Sequence, residues 1–372
     1  MLAATAETIH ATPLVAKMRT RVQADLPPLV DAIDTGELYP ADFLRGIGDL
    51  GAFATFCDAA GGEMPADIDL NPAIDAMSEV SEICGATGFM VWCQNALVWY
   101  IANSDNAALK DKLLADSANA RKLGGTGLSN PMKSFFGIEK MRLKGARVEG
   151  GYTVRGALPW VSNIGPDNVF GTIFELPDGK KVMFVADCAD PAVELMDCDP
   201  FLAMDGTGTY GVNFKGAFIP DDMVIAHDAM PFVKKIRAGF ILLQAGMAIG
   251  IMRDCIEIMQ KMRPGLGHVN KYLAGQQPED FARTLDEIGA EVRTLAATPY
   301  DASDAYWRRV VDARLQAGDA TMACAHAAML HTGARGYMKS HRAQRRMREA
   351  YFVGIVTPAT KQLCKMLADI DA

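Results

Sequence analysis

Hydrophobic and polar positions divide the chain into three textures. Up to about residue 118 the apolar residues recur at helical spacing. In YPADFLRGIGDLGAF (39–53), Phe43, Ile47 and Leu50 repeat along one face, and Pro40 sits where a helix starts. Gly61-Gly62 then breaks the chain. NPAIDAMSEVSEICGATGFMVWCQNALVWYIAN reads as one long apolar helical stretch. SDNAALKDKLLADSANAR predicts a further helix, capped by Ser104 and buried along Leu109, Leu113 and Leu114.

From about 120 to 228 glycines become frequent and short strand-like runs alternate. In GYTVRGALPWVSNIGPDNVF (151–170), Tyr152 and Val154 fall on one side and Thr153 and Arg155 on the other, as in a half-buried strand that Pro159 ends or bends. PDG at 177–179 marks a hairpin turn. From 229 onward the pattern is helical again, punctuated by PGLG (264–267) and PYDASD (299–304). The expected fold is α+β and multidomain: an N-terminal all-α domain (1–118), a middle β-barrel or sandwich (119–228) and a C-terminal four-helix bundle (229–372).

The composition narrows the function classes. Half of the 372 residues are hydrophobic, enough for a large core, and the formal net charge is −8. That balance argues against nucleic acid or an anionic membrane as a partner. The basic clusters Lys234-Lys235-Ile236-Arg237 and Arg342 to Arg348 read as a solvated helix face or an internal salt-bridge belt. Eight cysteines are scattered, the closest two being Cys84 and Cys93, so no zinc ribbon or redox pair is expected. Dispersed thiols in apolar contexts, without a signal-peptide pattern at the N-terminus, point to a cytoplasmic protein. The apolar run Ala238–Met252 contains Gln244 and reads as a buried helix rather than a membrane span.

Trp160 and Ser162 carry the first chemical signal. They read either as a sheet-core tryptophan beside a polar turn or as a wall for a flat aromatic cofactor with a hydroxyl at its edge. The order of five motifs decides how they are taken. These are DFLRGIGDLGAFATFCDAAGG, GGTGLSNP (124–131), GYTVRGALPWVSNIGPDNVF, GVNFKGAFIPDDMVI (211–225) and GARGYMKSHRAQRRMREA (333–350). In register over nearly the whole chain, they resemble the acyl-CoA dehydrogenase family of flavoproteins.

The resemblance implies FAD, with FMN as the alternative. It implies Trp160 and Val161 against the flavin ring, Ser162 at its reactive edge, and Leu128 and Ser129 toward its pyrimidine end. Arg263 in RPGLG and Gly333 would serve the nucleotide half, where Leu330 and Ala334 depart from the family pattern. Ser134 would help hold a thioester, and Gln94 and Asn95, polar on an apolar helix, would either line a substrate cavity or bond backbone at a helix crossing.

Desaturating an acyl thioester needs a carboxylate to remove the proton beside the carbonyl. The two positions where the family carries that glutamate fall on Thr357 and near Ile241. No Asp or Glu lies between Glu349 and Asp369 or between Asp228 and Asp254. His331 and Tyr351 are replacement candidates, and a hydrogen-bonded structural role is the simpler reading of the histidine. The resemblance therefore implies a flavin-dependent oxidoreductase acting on an acyl-thioester-like substrate, with ordinary α,β-desaturation in doubt. The alternatives are a reduced-flavin-dependent monooxygenase and a non-catalytic subunit of a hetero-oligomeric dehydrogenase. The implied partners are a small molecule such as acyl-CoA, further copies of the chain in a homotetramer or homodimer, and a flavin reductase or electron-transfer flavoprotein.

Overall fold

A computed structural model of the chain describes residues 12–58, 60, 64, 65 and 67–372. The Gly61-Gly62 break lies outside the described residues. Six helices come first: α1 (Pro13–Asp25), α2 (Val30–Asp34), α3 (Ala41–Gly48), α4 (Asn71–Ile83), α5 (Gly85–Asn103) and α6 (Ala107–Ala118). The middle region holds β1 (Gly124–Thr126), α7 (Ser129–Phe135), β2 (Lys144–Val148), β3 (Gly151–Val161), β4 (Val169–Glu175), β5 (Lys181–Asp187), β6 (Val193–Met196), β7 (Tyr210–Pro220) and β8 (Val224–Ala226). The remainder is helical: α8 (Ala229–Leu242), α9 (Ala245–Asn270), α10 (Pro278–Ala296), α11 (Asp304–Thr332), α12 (Arg342–Ile355) and α13 (Thr360–Ile370). An N-terminal helical domain, a middle sheet and a C-terminal helical bundle are thus present, as the residue pattern predicts.

The strands run in the order β6-β7-β3-β2-β4-β5-β8, with β1 parallel to β4. β2 and β4 meet at one residue pair, Lys144 and Glu175, so two antiparallel halves hinge there. The halves fold onto each other. Phe170 of β4 and Phe184 of β5 both pack edge-on against Phe214 of β7, with ring centres 6.2 and 6.0 Å apart. That face-to-face aromatic core is sandwich packing.

Four local expectations change. The long apolar stretch 71–103 is two helices, because Cys84 is extended and parts α4 from α5. Asn106, not Ser104, caps α6. The Ser104 hydroxyl instead donates to the Ile225 carbonyl, tying the helix to β8. PGLG does not end a helix, since Pro264 sits inside α9 with its backbone helical. The apolar run splits at Leu243-Gln244 between α8 and α9, and its most apolar window is 94% buried. All eight cysteines are free thiols.

Every residue of α5 is buried, as an all-round apolar helix requires. Trp92 and Trp99 point their indole N–H groups at the Phe240 and Ile236 carbonyls of α8, each at 3.1 Å. At the α4–α5 break, α12 supplies the missing backbone partners. Arg345 and Arg346 donate to the Ile83 and Ser81 carbonyls, both at 3.0 Å, and the Gly85 N–H donates to Glu349 at 3.0 Å. A Cβ at Gly85 would meet the Glu349 side chain at 2.9 Å, so the close approach needs glycine. Arg346 also pairs with Asp254 of α9 at 2.5 Å and with Glu349 at 2.7 Å. The basic run 342–348 is therefore an internal ion-pair belt.

Glu349→Ala would leave two buried guanidinium groups and the Gly85 N–H short of a partner. The expected loss of stability is about 3–5 kcal/mol, measured by denaturant unfolding. An unchanged unfolding midpoint would contradict the role given to the belt.

Candidate functional site

A cavity of about 400 Å³ opens where the sheet meets α5, α8 and α12. β3 delivers its wall. Between Leu158 and Val161 the ladder to β7 shifts by one residue, where Pro159 has no N–H to offer. The bulge turns Trp160 outward. Its side chain is 53% exposed and lines the cavity, whereas Val161 is fully buried. The indole is thus part of the cavity wall and not of the core.

Hydroxyls share the cavity with that ring. Thr126, Ser129, Ser162, Thr207, Thr209 and Thr357 all line the cavity. Thr126 pairs with the Tyr100 hydroxyl at 2.9 Å, and the Thr357 hydroxyl donates to Ser129 at 3.0 Å. Phe89 and Trp92 of α5, Phe240 of α8 and Phe352 of α12 make an apolar end, with neighbouring rings stacked, tilted or edge-on at 4.6–5.6 Å.

Among the described residues no carboxylate lines the cavity. The two cations that do are already engaged. Lys133 pairs with Glu139 at 3.0 Å, and Arg348 donates to Asp34 at 2.9 Å and to the Leu202 carbonyl at 3.0 Å. The acid nearest in sequence to the expected base position, Glu349, is spent in the buried belt.

A buried chain of bonds holds the Thr357 backbone. Gln244 donates to the Thr357 carbonyl at 2.8 Å, and Arg314 donates to Gln244 at 2.7 Å and to the Val353 carbonyl at 2.6 Å. Burial pulls the Arg314 guanidinium down to about 10, which still leaves it charged at neutral pH.

Residues 10–121 match the family model described as acyl-CoA dehydrogenase, N-terminal domain. The mitochondrial short-chain specific acyl-CoA dehydrogenase of Homo sapiens is 25% identical over 353 residues, covering 91% of this chain and 84% of that protein. Benzylmalonyl-CoA dehydrogenase of Aromatoleum aromaticum is 21% identical over 360 residues, 92% of each chain. The structure of butyryl-CoA dehydrogenase from Megasphaera elsdenii matches with a TM-score of 0.87 over 98% of this chain and 99% of that one, at 16% identity. Residues 10–121 and these relatives make the chain similar to acyl-CoA dehydrogenases. The three-part fold is the one that the butyryl-CoA dehydrogenase structure shares with this chain.

Of the residues singled out from sequence, the cavity gathers Leu128, Ser129, Trp160, Ser162, Tyr351 and Thr357. The others stand apart from it. The Gln94 amide donates to the Ser117 and Lys122 carbonyls and accepts from the Gly124 N–H, clamping α5 to the start of β1. Asn95 is fully buried, away from the cavity, with neither amide atom bonded among the described residues. His331 is buried with Nε2 2.8 Å from the Gln276 carbonyl, holding the α9–α10 connection. Arg263 is exposed on α9 and paired with Glu279. Gly333 ends α11 at φ +57° in open space. Ser134 lies on α7, but it is the adjacent Lys133 that faces the cavity. Thr207, Thr209 and Arg348 escaped the sequence reading. The hydroxyl-rich DGTGTY (205–210) was the available signal for the first two.

Trp92, Trp99 and Trp307 are buried, so Trp160 is the one open indole. Acrylamide is expected to quench one fraction of the tryptophan emission strongly, and Trp160→Phe to abolish that fraction. Persistence of the quenchable fraction in the variant would mean that another indole is exposed.

Proposed function

We propose that the chain is a flavin-dependent oxidoreductase acting on an acyl-thioester-like substrate, without a side-chain carboxylate of its own to remove the substrate's α-proton. The carrying observation is the half-exposed Trp160 ring on the wall of a cavity that Thr357, Ser129 and Ser162 line and that no Asp or Glu among the described residues lines. A flat apolar wall flanked by hydroxyls fits a tricyclic redox ring, and it excludes water from one face of it. A bound flavin would supply a two-electron acceptor. The aromatic end formed by Phe89, Trp92, Phe240 and Phe352 suits an apolar acyl portion, as do relatives named for short-chain acyl-CoA and benzylmalonyl-CoA.

In this reading Trp160 and Val161 back the ring, and Leu128, Ser129 and Ser162 meet its edges. FAD is the first choice and FMN the alternative. Arg263 and Gly333 lie outside the cavity, so a nucleotide half held by them would belong to a neighbouring copy in a homo-oligomer. Thr357 holds the base position but cannot act as base. Its hydroxyl ionises far above neutral pH and its proton is committed to Ser129. Tyr351, exposed on α12, is the remaining titratable candidate from sequence at the cavity.

The carboxylate-free cavity also favours a second reading, reduced-flavin-dependent oxygen chemistry, which requires no base and takes its electrons from a flavin reductase. Electron-transfer flavoprotein would be the partner in the first reading. The open Trp160 argues against a non-catalytic subunit, which has no need of a flavin wall.

The purified protein is expected to carry or take up flavin with a visible band. Saturated acyl-CoA added anaerobically should perturb that band without bleaching it. Thr357→Glu should then bleach with acyl-CoA about 10²–10⁴ times faster than the parent. Fast bleaching by the parent chain would overturn the base-free reading. Oxygen consumption only with supplied reduced flavin would select the second.

A further inference from the structure

The hydroxyl row beside Trp160 has a direction. Thr207 Oγ1 lies 2.6 Å from the Met204 carbonyl, which can only accept. Thr207 therefore spends its single proton there. Thr209 Oγ1, 2.8 Å from Thr207 Oγ1, must then be the donor of that pair. Ser162 Oγ is 2.7 Å from Thr209 Oγ1, whose proton is already used, so Ser162 must donate in turn. The Ser162 proton is thus committed to Thr209, and to a ligand in the cavity Ser162 offers lone pairs only. Ser129 is opposite in sense. It accepts from Thr357 and keeps its own proton free to donate.

The row is rigidly seated. Asn163 N–H donates to the Thr207 carbonyl at 2.9 Å and Ile164 N–H to the Gly208 carbonyl at 3.0 Å, so the loop and the end of β3 move together. A Cβ at Gly206 would meet the Ile33 carbonyl at 2.3 Å and the Leu38 carbonyl at 2.7 Å, so the loop is pressed against the α2 region. Met204 and Gly208 hold left-handed backbone at either side of the turn.

We infer that Thr207 and Thr209 are positioning residues that lock Ser162 as a hydrogen-bond acceptor, so that the cavity favours a ligand edge bearing an N–H, the reduced form of a flavin, over the oxidised form. This rests on the flavin reading of the cavity. The reactive-edge nitrogen of a flavin accepts a hydrogen bond when oxidised and carries a proton when reduced. A serine that can only accept matches the second state and leaves the first unsatisfied.

The test compares affinities of the apo-protein for oxidised and for chemically reduced flavin, both measured anaerobically, together with the midpoint potential of the bound flavin. Thr209→Val removes the acceptor of the Ser162 proton and lets it turn into the cavity. The reduced-over-oxidised affinity ratio is expected to fall about five- to tenfold, the scale of one hydrogen bond. The tenfold end corresponds to a drop of about 30 mV in the two-electron potential. Thr207→Val should act in the same direction. Thr209→Ser, which keeps the hydroxyl, should retain the parent ratio. In a Ser162→Ala background Thr209→Val should change nothing, because the side chain being oriented is gone. A ratio unmoved by both valine variants, with flavin bound and the proteins folded, would overturn the inference alone. No binding of either redox form to the parent protein would overturn the flavin reading and the inference together.

Discussion

The interaction on which the rest depends is the capping of the α4–α5 break by α12. Four backbone groups left open by the extended Cys84 turn find partners in Arg345, Arg346 and Glu349, and Arg346 reaches on to Asp254 of α9. Buried backbone and buried charge satisfy each other in one cluster, which neither could do alone. The geometric consequence is larger than the local one. α5 contributes Phe89 and Trp92 to the cavity, and α12 contributes Arg348, Tyr351 and Phe352. A cluster that fixes the one helix against the other also fixes the cavity's width.

Charge in this region is consumed by structure. Glu349, Asp254, Asp34 and Glu139 all face guanidinium or ammonium groups, and the lining they leave behind is aromatic and hydroxylic. The buried Arg314 has no carboxylate within bonding distance among the described residues. It is held by the Gln244 amide and the Val353 carbonyl instead. Its burial is affordable because those two acceptors replace hydration, and the same pair of bonds stiffens the segment that ends at Thr357. The segment that carries Thr357 is therefore well braced.

Hydroxyls in such a site acquire roles that isolated serines and threonines lack. In water each would rotate freely. In this cavity a carbonyl at one end of the row removes that freedom for three of them, and the Thr357–Ser129 pair runs with the opposite sense. The low dielectric of an apolar, aromatic surround makes each such orientation count for more than it would at a surface.

Much of this was legible in the residues. Helical periodicity before 118 and after 229, with alternation between, specified the three-part order, because period reflects which face must be buried. Trp160, Ser162, Ser129 and the acid-free neighbourhood of Thr357 could be read from local motifs and from what was missing. The α4–α5 break could not, since its cause is a helix more than 260 residues away in sequence. Nor could the fates of Gln94 and His331, whose backbone partners are chosen by chain packing. The DGTGTY turn announced its hydroxyls, but only the fold aligned them with Ser162. Composition and periodicity determine which side chains are available and which way each element faces. Partnership between polar groups distant in sequence is decided only when the elements pack, because a hydrogen bond depends on distances that no local pattern encodes.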